Sequence, residues 1–265
     1  MKKFLVLCGL TIFIFSCSKV PITGRKQMNI LPESQMISLS LTNYKDFLSK
    51  NPAVSGTPEA NMVQNVGAKI SASVAKFMNE NKMGDRLNGY QWEFHLVNSP
   101  EANAWCMPGG KVVVYSGLLP ITQDETSLAI VMGHEIAHAV ARHGNERMSQ
   151  MMVAAFGGIA LDVALAQKSA QTRNIFLTSY GVGSGLGILA YSRTHETEAD
   201  KLGLIFAAMS GYDPQLAVSF WERMAAKGGA KPPEFLSTHP SDQTRIKNLR
   251  AYMPTAMKYY HPAGR

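Results

Sequence analysis

Apolar residues recur at helical spacing in the first part of the chain. In residues 33–50 and 59–81 they stand three and four positions apart, and the breaker Asn51-Pro52 separates the two segments. Side chains at that spacing share one face of an α-helix. The pattern therefore predicts two helices that pack through their apolar faces.

The period changes to two between residues 90 and 115. Trp92, Phe94 and Leu96 alternate with polar residues, and a β-branched run at 112–114 follows a Pro-Gly-Gly turn. Alternation of this kind places every second side chain on the same face of a strand. We predict a small β-sheet with a tight turn.

A long helix is predicted after the sheet. Thr122 and Glu125 have the spacing of a capping box, and an apolar segment runs from Ser127 to about His143. The fold class predicted from the whole pattern is α+β and mainly helical, with the small sheet beside this helix.

The segment 151–190 is rich in Ala, Gly, Leu and Ile, which raises the alternative of membrane spans. Polar and charged residues interrupt it before either half supplies the roughly 20 apolar residues that a span needs. We expect buried helices there, and a flexible connection at 181–187, because this glycine run lacks the Lys-Ser/Thr ending of a phosphate loop. The remainder is predicted to be helical, with breaks at Gly211 and Pro232-Pro233.

Composition favours a globular protein with a sizeable core, since 46% of the 265 residues are hydrophobic and 17% are charged. The formal net charge is +7, but the Lys and Arg residues are spread along the chain and form no dense basic block. We therefore expect no nucleic-acid partner. A mildly basic surface suits anionic lipid.

The N-terminus has the organisation of an export signal. Two lysines precede an uncharged run at 4–16, which is too short to span a membrane as a stable helix. The tetrapeptide Ile14-Phe15-Ser16-Cys17 resembles a bacterial lipobox, so we predict a signal peptide at 1–16 and a lipid on Cys17. An ordinary secretory signal that contains a cysteine is the alternative, because Phe15 is bulky for its position.

Residues 17–32 contain prolines and a glycine with little periodicity, and we expect a lipidated tether there, followed by one domain at 33–265. The non-acidic Ser18 favours the outer membrane, facing the periplasm, by resemblance to enteric lipoprotein sorting. Once Cys8 leaves with the signal and Cys17 carries lipid, Cys106 is the remaining thiol. It cannot form an intramolecular disulfide, and we expect a core or strand cysteine rather than a nucleophile.

The strongest chemical signal is His134-Glu135-Ile136-Ala137-His138. Four residues make about 400° of helical turn, so the two imidazoles share a face and can bind one zinc ion. Glu135 projects beside them, where it can take a proton from a water molecule at the metal and pass it to a leaving amine. His143 follows about 180° around the helix, and we expect it to face away from the metal.

A catalytic zinc usually has three protein ligands, so another must come from later in the chain. Glu196 and Asp200 stand four residues apart on a predicted helix, where one could bind zinc and the other could orient a histidine ligand. Glu198 is expected to point elsewhere. A solvated acidic helix start remains the alternative for this segment.

The sequence also resembles the HtpX-like and CAAX-prenyl-type zinc metalloendopeptidases of the gluzincin group, and especially their exported bacterial lipoprotein members. The likeness covers nearly all of the chain after the signal. The matching pieces are Val20 to Arg25, Asn103-Ala104-Trp105 with Pro108-Gly109-Gly110, His134 to His138, Ser192-Arg193 with Glu196 to Asp200, and Ser237-Thr238-His239-Pro240 with Arg245.

The resemblance implies a zincin-like fold with one zinc per chain on His134, His138 and Glu196. Glu135 is then the general base and Asp200 supports a ligand. The resemblance further assigns oxyanion stabilisation to His239 and Arg245. It places Asn103 and the strand at 109–114 in the substrate cleft, where an extended peptide could add to a sheet edge.

These signals together predict a zinc endopeptidase that hydrolyses unfolded or damaged envelope proteins. One rival is a chaperone-like binding lipoprotein with a rarely used zinc site, although Glu135 argues against a purely structural site. Another rival is a latent enzyme in which His239 occupies the open zinc position. The expected partners are polypeptide substrates and, through the lipid, a membrane.

Overall fold

The computed structural model describes residues 17–156, 170–180, 191–226, 234–239 and 243–262. Its helices are α1 (Glu33–Lys50), α2 (Pro58–Glu80), α3 (Leu119–Thr122), α4 (Glu125–Val140), α5 (His143–Phe156), α6 (Ala170–Ser179), α7 (Arg193–Met209), α8 (Leu216–Ala226), α9 (Glu234–Thr238) and α10 (Gln243–Ala256). Its strands are β1 (Cys17–Lys19), β2 (Lys26–Met28), β3 (Ala53–Val54), β4 (Glu93–Val97), β5 (Ala104–Met107) and β6 (Lys111–Tyr115). The α+β, mainly helical prediction is confirmed.

The predicted small sheet is present and has the strand order β3-β4-β6-β5. Strands β4 and β6 are parallel, whereas the pairs β3-β4 and β5-β6 are antiparallel. Every residue of β5 and β6 is buried. Strand β6 has a partner on each side, whereas β5 pairs with β6 alone. Strand β5 is therefore an outer strand of this sheet, and it packs against α4.

Helix α4 lies in the centre of the fold, and every residue from Ser127 to Val140 is buried. A helix that is apolar on nearly all sides is stable only when other elements surround it. Helices α2 and α7 and strand β5 pack against it. Its backbone lies close to that of α7 at Gly133 and Gly203, where neither residue has a side chain to keep the helices apart.

The two ends of α4 differ from the prediction. The N-cap is Asp124, whose carboxylate accepts from the Ser127 backbone N–H at 2.6 Å, and not Thr122. Helix α4 ends at Val140, and Arg142 with φ 63° turns the chain before α5 starts at His143. A non-glycine residue in the left-handed region ends an α-helix, which sequence periodicity did not reveal.

The segment expected as a tether is packed against the body. Strands β1 and β2 form an antiparallel hairpin with Cys17 opposite Met28. In the turn between them Val20 is 1% exposed and belongs to the main hydrophobic core. Prolines and glycine here shape a turn rather than a loose linker.

Some predicted features fall outside the described ranges, namely the signal peptide at 1–16, the glycine run at 181–187 and the break at Pro232-Pro233. The apolar segment 151–190 is described only in part, where it is helical at its start and in α6. Within the described part of the chain, no helix has both the length and the apolar character to cross a membrane.

Candidate active site

The predicted metal ligands come together where α4 packs against α7. His134 and His138 are one turn apart, and their Nε2 atoms are separated by 3.1 Å. Glu196, in the first turn of α7, places Oε2 3.4 Å from His134 Nε2 and Oε1 3.3 Å from His138 Nε2. The three side chains are buried, so the packing of two helices assembles a polar group inside the core.

His239 completes this group. Its Nδ1 atom lies 3.2 Å from His134 Nε2 and 3.0 Å from Glu196 Oε1. One ligand atom from each of His134, His138, Glu196 and His239 lies within 4.8 Å of all the others. Atoms bound tetrahedrally to zinc at about 2.0–2.1 Å stand about 3.3 Å apart. Both the donor types and their spacing therefore fit zinc.

Glu135 lies beside the four possible ligands. It is 3% exposed, and its Oε1 atom is buried without a hydrogen-bond partner, 3.4 Å from His239 Nε2. Burial raises the pKa of Glu135. A buried carboxylate oxygen without a donor is unfavourable for folding, and such groups concentrate at functional sites.

Asp200 contacts the Nδ1 atom of His134, and Arg245 binds Asp200. Asp200 Oδ1 lies 3.0 Å from His134 Nδ1, and Arg245 donates two hydrogen bonds to Asp200 at 2.9 and 2.7 Å. Burial would raise the pKa of Asp200, but Arg245 and His134 hold it below its ordinary value. Asp200 is therefore placed where it could accept a hydrogen bond from His134 Nδ1 and orient that ring.

The contacts of Arg245 differ from the expected oxyanion role. Besides Asp200, its guanidinium contacts Glu196 Oε2 at 2.9 Å and lies over the ring of Trp221, 3.4 Å from the centroid. It is 6% exposed. A cation engaged in this way holds two carboxylates in place rather than facing a substrate carbonyl.

His143 and Glu198 have positions that the sequence prediction missed. Since α4 ends before it, His143 turns back and places Nδ1 3.0 Å from His138 Nδ1 and Nε2 3.0 Å from Glu198 Oε2. Burial lowers the pKa of His143 to about 4. Burial opposes ionisation of Glu198, but hydrogen bonds from His143, Arg25 and Thr23 lower its pKa to about 2. The prediction that His143 and Glu198 face away from the site is wrong.

Asn103 lies directly before β5 and is 5% exposed. Its Oδ1 accepts from the Ala104 backbone N–H at 2.9 Å, and its carbonyl accepts from Tyr115 N at 3.0 Å. These contacts join it to the sheet rather than to the metal group. The strand predicted at 109–114 is β6 (Lys111–Tyr115), which has a partner strand on each side and is therefore not an edge to which a peptide could add.

Cys106 is a buried strand cysteine, as predicted, and is 4% exposed. Burial and the nearby charge of Glu135 raise the pKa of its thiol. A thiol that remains protonated is a poor nucleophile.

Two further residues at the site were not singled out from the sequence. The ring of Tyr191 lies 4.0 Å, between centroids, from that of His138, and Arg25 binds Glu198 and Glu146. Arg25 stands in the Val20–Arg25 motif that carried part of the family resemblance, which was the one available signal. Tyr191 directly precedes the Ser192-Arg193 motif and had no signal of its own.

Comparison with known proteins agrees with this geometry. The family model described as Peptidase family M48 matches residues 65–253. The mitochondrial metalloendopeptidase OMA1 of Saccharomyces cerevisiae is 30% identical over 98% of this chain and 76% of its own length. The human metalloendopeptidase OMA1 is 30% identical over 93% of this chain and 48% of its own length.

The beta-barrel assembly-enhancing protease of Escherichia coli is 34% identical over 64% of this chain and 37% of its own length. Apart from the yeast protein, the relatives named here are thus matched over less than half of their length. All three carry names of proteases. With its paired helix histidines, carboxylate ligand candidate and adjacent buried glutamate, the chain belongs to peptidase family M48 and is a metalloendopeptidase.

Proposed function

We propose that this chain is a zinc endopeptidase with the metal on His134, His138 and Glu196 and with Glu135 as general base. The observation that supports this proposal most directly is the buried group of ligand atoms at zinc-compatible spacing, next to a carboxylate oxygen without a hydrogen-bond partner. We propose one zinc ion per chain.

When bound, zinc polarises the scissile carbonyl and makes a neighbouring water molecule easier to deprotonate. Glu135 accepts the proton from that water and delivers it to the leaving nitrogen, since its unpaired Oε1 faces the metal group. The raised pKa of Glu135 suits a group that must both take and return a proton near neutral pH. Asp200 and Arg245 keep His134 and Glu196 in position.

The substrate is proposed to be an extended polypeptide that pairs with β5. This strand pairs with β6 alone in the described sheet, so its other edge is where a peptide main chain would pair, without regard to most of its side chains. The strand is buried in this conformation, so that edge must be uncovered before a peptide binds. Main-chain recognition of this kind selects unfolded segments. Together with the protease names of the relatives, it supports a role in removing unfolded or damaged envelope proteins.

We further propose that the chain is an exported lipoprotein, with its lipid on Cys17 at the outer membrane and its catalytic domain in the periplasm. The lipobox-like tetrapeptide and Ser18 support this location. The hairpin starts at Cys17, so a lipid there would hold the folded domain close to the membrane surface.

The position of His239 favours a latent resting state. Its Nδ1 lies within 4.8 Å of the other three ligand atoms, so this side chain could serve as a fourth ligand. We therefore propose that His239 blocks the fourth zinc position in this conformation, in contrast to the oxyanion role expected from the resemblance. Activity then requires His239 to move away.

A chaperone-like binding protein is the rival, and one experiment separates the two. The purified chain and its Glu135→Gln variant are incubated with an unfolded protein, with and without a chelator, and fragments are identified by mass spectrometry. We expect slow fragmentation by the wild-type chain, because His239 must first move away, and no fragments from Glu135→Gln or in the presence of the chelator. The variant should lose cleavage, because a glutamine amide cannot accept the proton from water. Its zinc content should be unchanged, because every proposed ligand remains. Equal fragment yields from both chains, or a wild-type chain without zinc, would refute the proposal.

A further inference from the structure

A second cluster of buried charged side chains lies beside the metal group. Glu146 on α5 and Glu198 on α7 are 5% and 3% exposed. Arg25 donates to Glu198 from Nε at 2.9 Å and from Nη2 at 3.0 Å, and to Glu146 from Nη1 and Nη2 at 2.8 Å each. Paired donors of this kind fix a carboxylate in both position and orientation. The cation comes from the β1-β2 turn, outside the helices that bear the ligands.

The turn that presents Arg25 is itself ordered by hydrogen bonds. Val20 N donates to Arg25 O at 2.9 Å, and Gly24 N donates to Val20 O at 3.0 Å. Thr23 Oγ1 donates to Glu198 Oε1 at 2.7 Å. Because Val20 is anchored in the core, Arg25 and Thr23 approach Glu198 from a fixed direction.

From Glu198 the contacts continue to the ligand candidate His138. His138 Nε2 faces the metal group, so in the neutral ring its Nδ1 carries the proton and donates to His143 Nδ1 at 3.0 Å. His143 then carries its own proton on Nε2 and donates it to Glu198 Oε2 at 3.0 Å. Each contact has one donor and one acceptor in this assignment, so the chain of hydrogen bonds is complete.

Each of the two histidines on α4 is linked to a buried carboxylate that an arginine binds. His134 contacts Asp200, which is held by Arg245, within α7 and α10. His138 contacts Glu198 through His143, and Glu198 is held by Arg25. The difference is that the second arginine belongs to the N-terminal hairpin.

We propose that the hairpin turn with Thr23 and Arg25 is a positioning element for the metal ligand His138, acting through Glu198 and His143. This inference rests on the proposed metal site. Removing Arg25 leaves Glu146 and Glu198 buried without the cation between them, which is strongly unfavourable. Glu198 then loses its fixed orientation, and with it the hydrogen bond that sets the tautomer and angle of the two imidazoles.

The test measures the zinc affinity of the full chain by competition with a chromogenic chelator. Arg25→Ala, Glu198→Gln and His143→Phe are each expected to weaken zinc binding by about 10 to 100-fold, the usual effect of losing a residue that orients a ligand. Thr23→Val should weaken zinc binding by a smaller factor. Thr23→Ser should bind zinc as tightly as the wild-type chain, because serine keeps the hydroxyl donor. Arg250→Ala is the matched control, since it removes an arginine–glutamate pair at 2.8 Å that is exposed to solvent.

Non-additivity provides a second readout. If Arg25 and His143 act through one path, the double variant Arg25→Ala with His143→Phe should lose about as much zinc affinity as His143→Phe alone, rather than the product of the two losses. Thermal unfolding with and without added zinc separates positioning from general stability. A positioning role shrinks the rise in melting temperature that zinc causes, whereas a purely structural role lowers both melting temperatures equally.

The outcomes distinguish this inference from the proposed function. A wild-type chain that binds no zinc overturns the metal site itself. A wild-type chain that binds zinc, with unchanged affinity in Glu198→Gln and Thr23→Val, overturns the positioning role alone. Should Arg25→Ala not fold, those two milder variants decide the question by the same measurement.

Discussion

The contact between α4 and α7 allows one prediction to be worked out from distances. A Cβ atom on Gly203 would lie 2.8 Å from His134 N and 3.0 Å from His134 Cα. Comfortable contacts between such atoms begin at about 3.5 Å, so Gly203→Ala must move the helices apart by about 0.7 Å. The atoms concerned belong to the backbone of α4, and no side-chain rotation can relieve the overlap.

The displacement acts directly on the metal group. Glu196 lies seven residues before Gly203, two turns along the same helix, so movement of α7 carries it away from both histidines of α4. Metal–ligand distances tolerate changes of only about 0.2 Å. We therefore expect zinc affinity to fall at least about tenfold, equivalent to about 1.4 kcal/mol.

The free energy of unfolding of the metal-free chain should fall only slightly, because two effects oppose each other. Overpacking costs about 1 to 3 kcal/mol, but replacing a helical glycine with alanine stabilises a helix by about 0.8 to 1.0 kcal/mol. The net loss in free energy of unfolding is then about 0 to 2 kcal/mol, measurable by urea denaturation with a chelator present.

Gly67→Ala is the matched control for this prediction. Its Cβ would overlap the ring of Phe94, on β4, and no member of the metal group. It should reduce stability while leaving the zinc dissociation constant unchanged. If Gly203→Ala binds zinc as tightly as the wild-type chain in the chelator competition, the inferred coupling between helix contact and ligand geometry is wrong.

The remaining predictions concern single side chains. Glu196→Ala should abolish stoichiometric zinc binding in elemental analysis, whereas Glu222→Ala, an exposed control, should not; equal zinc contents would show that Glu196 is not a ligand. His239→Ala should raise the turnover of an unfolded substrate several-fold by clearing the fourth position, and a fall of about two to three decades would instead support the oxyanion role. Cys17→Ser should eliminate metabolic labelling with a fatty acid, and undiminished labelling would refute the lipid anchor.

Local patterns in the sequence were sufficient for several parts of the fold. Apolar spacing predicted α1 with the bounds that the structure shows, and alternation predicted the sheet. The pairing of His134 with His138 also follows from sequence, because four residues along a helix always return to the same face. These features depend on contacts between near neighbours in the chain.

The end of α4 shows where local patterns failed. Apolar periodicity continues towards His143, but Arg142 adopts a positive φ and reverses the direction of the chain. Extrapolating the helix put His143 on the opposite side from the metal group, whereas the turn brings it against His138. A single backbone angle therefore changed the predicted role of a buried histidine.

The sequence by itself determined the helix and strand pattern, the histidine pair with its adjacent glutamate, and a short set of carboxylates among which a third ligand could lie. Only the tertiary structure decided that Arg25 binds Glu198, that His143 links Glu198 to His138, that His239 lies among the possible metal ligands, and that β5 ends the sheet beside α4. Those arrangements join residues far apart in the chain. Their distances depend on how closely α4 and α7 pack and on where each connection turns, and no repeat in the sequence encodes either quantity.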